Sequence, residues 1–210
     1  MLKKPRCPSQ AVVTMCTGKC AKCIGVSLIP LAILSIIANI LLFFPNGQVW
    51  SPDQLSDKVW YFEGIVGAGL LMFIPSCFIK SAGKDGCCGN RCGMLCSILF
   101  SGIGFVGALY CFAISITGMV EGPKCNNSID NKWTYPFFLN STRNITDVYL
   151  FHQDWWSICF EPPNVVLWNI VLFSMLIIFG GIEMILCAIQ IINGLFGTLC
   201  GTCMSDDGVV

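Results

Sequence analysis

Four long apolar runs, separated by shorter polar segments, set the pattern of this chain. They cover residues 24–44, 59–79, 94–120 and 164–192. A helix rises about 1.5 Å per residue and the hydrocarbon core of a bilayer is about 30 Å thick, so about 20 apolar residues cross it. The pattern predicts an all-α integral membrane protein built as a four-helix transmembrane bundle. The polar remainder divides into a segment 1–23, a short loop 45–58, an inner loop 80–93, a long loop 121–163 and a tail 193–210.

Sidedness follows from the long loop. It holds the acceptor triplets headed by Asn126, Asn140 and Asn144, namely Asn126-Asn127-Ser128, Asn140-Ser141-Thr142 and Asn144-Ile145-Thr146. Glycan transfer is lumenal, so 121–163 is expected to face outward, with both ends of the chain in the cytosol. Charge agrees. Of the 12 Lys and Arg, Lys3, Lys4, Arg6, Lys19, Lys22, Lys80, Lys84 and Arg91 fall on the inner side, and only Lys58, Lys124, Lys132 and Arg143 on the outer. The first run is longer than a secretory h-region, lacks a small-x-small cleavage site and ends at the turn Phe44-Pro45-Asn46-Gly47. It reads as an uncleaved signal-anchor.

Composition narrows the class further. The chain is 55% hydrophobic and 11% charged, with a mean hydropathy of +0.72. Soluble domains carry about 25% charged residues. Four spans in 210 residues leave little for a second domain. No basic stripe suggests nucleic acid, and none is expected as a partner.

The 15 cysteines divide by compartment. Only Cys125 and Cys159 lie in an outer segment, where the lumen is oxidising, so these two are expected to pair. The bond closes about 34 residues, worth about 3–4 kcal/mol in the chain-entropy view; two free outer thiols are the alternative. Cys16, Cys20 and Cys23 flank the start of the first run, Cys87, Cys88 and Cys92 lie at the inner loop, and Cys200 and Cys203 follow the last run. These are acylation candidates, since an acyl chain adds about 0.8 kcal/mol of membrane affinity per buried methylene. Free reduced thiols are the bland reading. A tetrahedral metal site from Cys20-x-x-Cys23 and Cys200-x-x-Cys203 is the third, but nothing else resembles a zinc knuckle and no metal is expected.

Polar residues inside the runs are few. Asn39, Glu63 and Asn169 lie at similar depth near the outer ends and are expected to form one hydrogen-bonded layer. Glu183 lies in the inner half, near the expected depth of Ser101 and Ser35. Intramembrane carboxyls mark ion pathways by default. Transporters, however, show inverted repeats and broken helices; here no repeat joins the halves and only Pro30 and Pro75 interrupt runs. Structural glue is therefore the leading reading. A transporter, channel or small-solute sensor using Glu63 or Glu183 is the alternative. Gly64 with Ala68, Ser97 with Ser101, and Gly104 with Ala108 recur at spacing four, which lets backbones approach, within the bundle or against another protein.

The long loop holds nine aromatics: Trp133, Tyr135, Phe137, Phe138, Tyr149, Phe151, Trp155, Trp156 and Phe160. With one disulfide it is expected to form a compact cap that packs about two thirds of them, the rest offering a partner surface. The lone His152 sits near Asp154 in a loop, and no nucleophile elbow, HExxH motif or phosphate loop occurs, so no catalytic residue is assigned.

Several segments resemble the four-transmembrane L-six antigen family, a tetraspanin-like group: Met15-Cys16-Thr17-Gly18-Lys19-Cys20, Ala38-Asn39-Ile40-Leu41-Leu42 through Pro45-Asn46-Gly47, Cys87-Cys88-Gly89-Asn90-Arg91-Cys92, Glu121-Gly122-Pro123-Lys124-Cys125, Glu161-Pro162, Trp168-Asn169, Gly180-Gly181-Ile182-Glu183 and Ile189-Gln190. The likeness runs from Met15 to Cys203, and an intestine-and-liver branch is nearest. Residues 1–14 precede the family's usual start and read as an alternative or mis-annotated one. True tetraspanins carry Cys-Cys-Gly in the large outer loop, whereas here it is at Cys87–Gly89 on the inside; claudins put the large loop between spans one and two. The resemblance implies a non-enzymatic membrane organiser without a cofactor. Its implied partners are membrane lipid, integrins, growth-signalling receptors and further copies of itself. The implied effects are on proliferation, adhesion and motility, and the expected place is the plasma membrane, with endosomal and lysosomal membranes besides.

Overall fold

The computed structural model describes residues 17–82, 91–127, 132–138 and 148–200. Helix α1 runs Thr17–Leu42, α2 Leu71–Ala82, α3 Arg91–Glu121 and α4 Val165–Cys200. A π-helical segment, Glu63–Leu70, feeds directly into α2. Four spans result, each long and apolar enough to cross a membrane. In hydrocarbon no water takes up a free N–H or C=O, so these runs close their backbone bonds within the segment, as helix. The helices pass beyond the apolar runs, α1 beginning at Thr17 and α4 reaching Cys200. Helical bonding continues where side chains turn polar, and hydropathy does not register that.

Buried positions recur at spacings of three and four. On α1 they include Ala21, Ile24, Leu28, Ala32, Ser35, Asn39 and Leu42; on α3 Met94, Ser97, Ser101, Ala108, Cys111 and Ser115. That is the period of helices crossing at about 20°. The opposite faces are larger and more apolar: Ile33, Ile37 and Ile40 on α1, and Ile178, Ile182, Ile185 and Ile189 on α4, are exposed to lipid. Small and polar side chains thus sit inside among Leu28, Met72, Met94, Phe173 and Leu176, while the outside is bulky and apolar.

The second span is not a uniform helix. A 3-10 turn, Asp57–Tyr61, ends at Phe62 in the left-handed region (φ 49), and the π segment follows. Its buried Gly64, Gly67 and Gly69 bring backbones together. A Cβ built on Gly67 would meet the Gly107 carbonyl oxygen at 2.7 Å, and one on Gly107 would meet the Gly67 oxygen at 2.6 Å. This pair sets how closely the second span and α3 cross.

The loop between α3 and α4 forms a disulfide-closed cap. Unlike the helical bundle, it contains a three-stranded antiparallel sheet in the order β2-β1-β3, with β1 Cys125–Asn127, β2 Lys132–Thr134 and β3 Cys159–Glu161. Strands of three residues are too short for an alternating pattern to announce them. The first outer loop docks on this cap. The Lys124 N–H donates to Ser56 Oγ at 3.0 Å, the Asp57 N–H donates to Tyr135 Oη at 2.7 Å, and Lys58 Nζ lies 3.2 Å from Glu121 Oε1.

Gly107→Val is expected to overpack the crossing and cost about 1–3 kcal/mol. Thermal unfolding in mild detergent reads this as a lowered midpoint. Gly102→Val on the same helix is the control, because a Cβ there meets nothing within 4 Å. Equal effects from both would mean the Gly67–Gly107 approach does not set the packing.

Candidate functional site

The site has two storeys, the cap and the polar interior below it. In the cap, Phe137 stacks on Tyr149 with centroids 4.5 Å apart. The pair covers Gly122, whose φ of +77 suits a residue without a Cβ. Tyr149 donates its hydroxyl to the Met119 carbonyl at 2.7 Å and accepts from Trp156 Nε1 on its own carbonyl at 2.9 Å. Trp168 Nε1 donates to the Leu41 carbonyl at 2.9 Å. A helix leaves its last four carbonyls without partners in the helix. Met119 and Leu41 lie in the last turns of α3 and α1; Tyr149 closes the Met119 carbonyl, and Trp168, on α4, adds a second donor to the Leu41 carbonyl, which also accepts from the Phe44 N–H at 3.0 Å.

Burial pushes the Tyr149 hydroxyl up to about 12, against a smaller opposing effect of the Asn169 side chain beside it. Tyr135 is likewise pushed up to about 12, by burial first; the Asp57 N–H opposes this and the Asp57 carboxylate adds to it. Six of the nine loop aromatics are buried or half-buried, while Phe138, Phe151 and Phe160 are 53%, 76% and 67% exposed.

The Cys125–Cys159 disulfide is present, with Cα atoms 5.5 Å apart. It ties β1 to β3 at the foot of the cap. Asn126 lies in the middle strand and is 8% exposed. Asn140 and Asn144 lie outside the described residues.

In the bundle, Asn39, Glu63, Asn169 and Glu183 are all buried. Asn39 packs beside Gly64, and its amide lies against the Glu63 carboxyl without full hydrogen-bond geometry. Asn169 stands next to Tyr149, one step nearer the cap. Asn39 and Glu63 therefore share one contact and Asn169 has another. The Ser35 carbonyl oxygen approaches Gly64, and the next residue, Ile36, packs at Gly69. The Glu183 oxygens hydrogen-bond to no described protein group.

Between the carboxyls the interior is small and sparsely polar, with the Cys111 thiol 3.9 Å from Ser115 Oγ. Leu176 packs at Gly64, and Glu183 is seven residues further on, about 10 Å along α4. Buried Ala68, Ala108 and Cys111 belong to this interval. Nearer the inner end, Gln190 Nε2 donates to Ser97 Oγ at 3.2 Å, and Asn193 Nδ2 donates to Gln190 Oε1 at 3.3 Å. Sequence reading assigned no role to Gln190 or Asn193. The run Glu183, Cys187, Gln190 and Asn193, spaced by four, three and three, was the available signal.

Among the thiol candidates, Cys20 is half-buried and Cys23 exposed near the start of α1. Cys92 and Cys200 fall at helix ends, while Cys16, Cys87, Cys88 and Cys203 lie outside the described residues. Cys77 and Cys96, which bracket the inner loop in sequence, are exposed toward the inner ends of α2 and α3. Among the described residues, no group of three His, Cys, Asp or Glu is placed to hold a metal.

A family model described as "L6 membrane protein" matches residues 15–204. Transmembrane 4 L6 family member 4 of Rattus norvegicus is 51% identical over 198 residues, covering 90% of this chain and 94% of that protein. Member 1 of Homo sapiens is 47% identical, covering 91% and 96%. Member 5 of Bos taurus is 44% identical, covering 92% and 98%. No solved structure matches.

Tyr149→Phe is expected to leave the Met119 carbonyl unpaired and cost about 1–3 kcal/mol. Faster reduction of Cys125–Cys159 by a soluble thiol reports the loosened cap, and Phe151→Leu should leave the rate unchanged. Alkali should act similarly. Unfolded tyrosine ionises near pH 10 and these two are held up to about 12, so their contribution is full below pH 10 and is lost as pH rises from 10 through 12. An unchanged reduction rate across that window would remove the tyrosines from the cap's stability.

Proposed function

Because this chain belongs to the L6 membrane protein family, a group of tetraspanin-like multi-pass proteins, we propose that it is a non-enzymatic organiser of other membrane proteins. Its partners are integrins and growth-signalling receptors, bound laterally through the spans and the cap, together with lipid and further copies of the chain. Through them it acts on proliferation, adhesion and motility at the plasma membrane. The observation that supports this best is the division of polar groups. Glu63 and Glu183 occupy separate levels with Ala68, Ala108 and Cys111 between them, while the outer faces are dominated by large apolar side chains. Such an interior glues helices and leaves the exterior for contact.

The outer cap faces the lumen, with Asn140 and Asn144 as glycan acceptors. The inner-face thiols Cys16, Cys20, Cys23, Cys87, Cys88, Cys92, Cys200 and Cys203 carry acyl chains, which adds lateral affinity for ordered lipid. A hydroxylamine-sensitive acyl-exchange assay should label the wild type. Replacing Cys16, Cys20, Cys23, Cys87, Cys88 and Cys92 by Ser should remove most of the label, and an unlabelled wild type would leave free thiols.

Two buried carboxyls keep a second reading in view: a transporter, channel or small-solute sensor working through Glu63 or Glu183. Glu63→Gln keeps an acceptor beside Asn39 and removes the ionisable proton. An organiser should retain surface level and co-purifying partners with this change. Glu63→Leu strips Asn39 of its neighbour and should cost about 0.6–2 kcal/mol of bundle stability. If Glu63→Gln and Glu183→Gln abolish function at normal surface level, the organiser reading is wrong.

A further inference from the structure

The acceptor triplet Asn126-Asn127-Ser128 and the middle strand of the cap claim the same side chain. Asn126 is the central residue of β1, opposite Trp133 on β2 and Glu161 on β3. Directly opposed residues share a face of the sheet, so Trp133 and Glu161 flank the Asn126 amide. The Asn126 Nδ2 donates to Glu161 Oε2 over 3.5 Å. On the other flank, the Trp133 ring packs against Trp50 of the first outer loop, centroids 5.9 Å apart. The residue before it, Cys125, is fully buried and bonded to Cys159. Only 8% of Asn126 is exposed.

Glycan transfer forms a bond from Nδ2 to the anomeric carbon of the first sugar. The bond from that carbon to the pyrophosphate of a lipid-linked donor breaks, and the amide proton leaves to a base of the transferase. The product would put a hexosamine where the Glu161 carboxyl and the Trp133–Trp50 pair stand. Opening that face would undock the first loop and pull β1 from β3 beside the disulfide. A chain glycosylated here cannot close its cap, and a chain with a closed cap no longer offers Nδ2.

We propose that Asn126 is a structural residue left unmodified in the mature protein, and that cap closure around Cys125 competes with glycosylation of its triplet. The proposal rests on the outward-facing loop of the functional reading. It makes the first triplet a branch point: strand pairing leads to the folded protein and glycan transfer leads away from it.

Glycopeptide mapping of surface-biotinylated full-length protein tests this, using glycosidase release in heavy-oxygen water to mark each occupied Asn. The expected result is label at Asn140 or Asn144 and almost none at Asn126. Label at Asn126 in most molecules overturns the proposal. Label at none of the three overturns the outward-loop reading, and the proposal with it. Ser128→Ala destroys the triplet without touching Asn126, and should leave glycosidase-sensitive mobility, disulfide closure and surface level unchanged; loss of one glycan step counts against the proposal. Asn126→Asp removes the Nδ2 donor and sets a second carboxylate against Glu161. It should lower the disulfide-closed surface pool several-fold. An undiminished pool means Asn126 is not structural.

Discussion

Hydrocarbon cannot hydrogen-bond, and most of this structure follows from that. Each span closes its backbone bonds as helix, and polar side chains on a span turn inward or, like Thr117, bond back to their own helix. The bundle is accordingly apolar outside and partly polar inside, with Asn39, Glu63, Glu183 and Gln190 all buried. Lipid tails provide no hydrophobic drive to bring the helices together. Close approach of small residues, such as Gly67 against Gly107, and contacts between buried polar groups supply the association.

The constraint extends to the ends of the spans. Carbonyls in the last turns of α1 and α3 take donors from outside their own helices, Trp168 of α4 on Leu41 and Tyr149 of the cap on Met119. Tyr149 is buried, stacked on Phe137 and set beside Asn169 of α4, so the cap and the bundle share a side-chain network. The first outer loop joins it through Ser56, Asp57 and Lys58. The disulfide closes this platform by tying β1 to β3.

The two carboxyls separate the functional readings. Charge transfer across a membrane needs successive polar stations within reach of one another. Along α4 the two levels are about 10 Å apart, with Ala68, Ala108 and Cys111 filling the interval. Side chains of that size and polarity pack helices together. The cap, by contrast, holds Phe138, Phe151 and Phe160 away from its own core, where they remain available for contact.

What the sequence determined by itself is what solvent alone dictates. Four spans, their inward polar residues, the pairing of Cys125 with Cys159 and the aromatic character of the cap all follow from apolar run length, from the scarcity of polar residues within runs, and from compartment. Everything that depends on which distant residue arrives alongside was left to the tertiary structure. Asn39, Glu63 and Asn169 read as one layer by depth, yet Asn169 is drawn to Tyr149, about 20 residues away along the chain through a loop whose path no local pattern records. The sheet of three-residue strands, the approach of Gly67 in the π segment to Gly107 and the docking of Asp57 on Tyr135 are likewise contacts between segments remote in sequence. Hydropathy measures the free energy of each residue in lipid or water. It carries no term for a neighbour that only folding supplies.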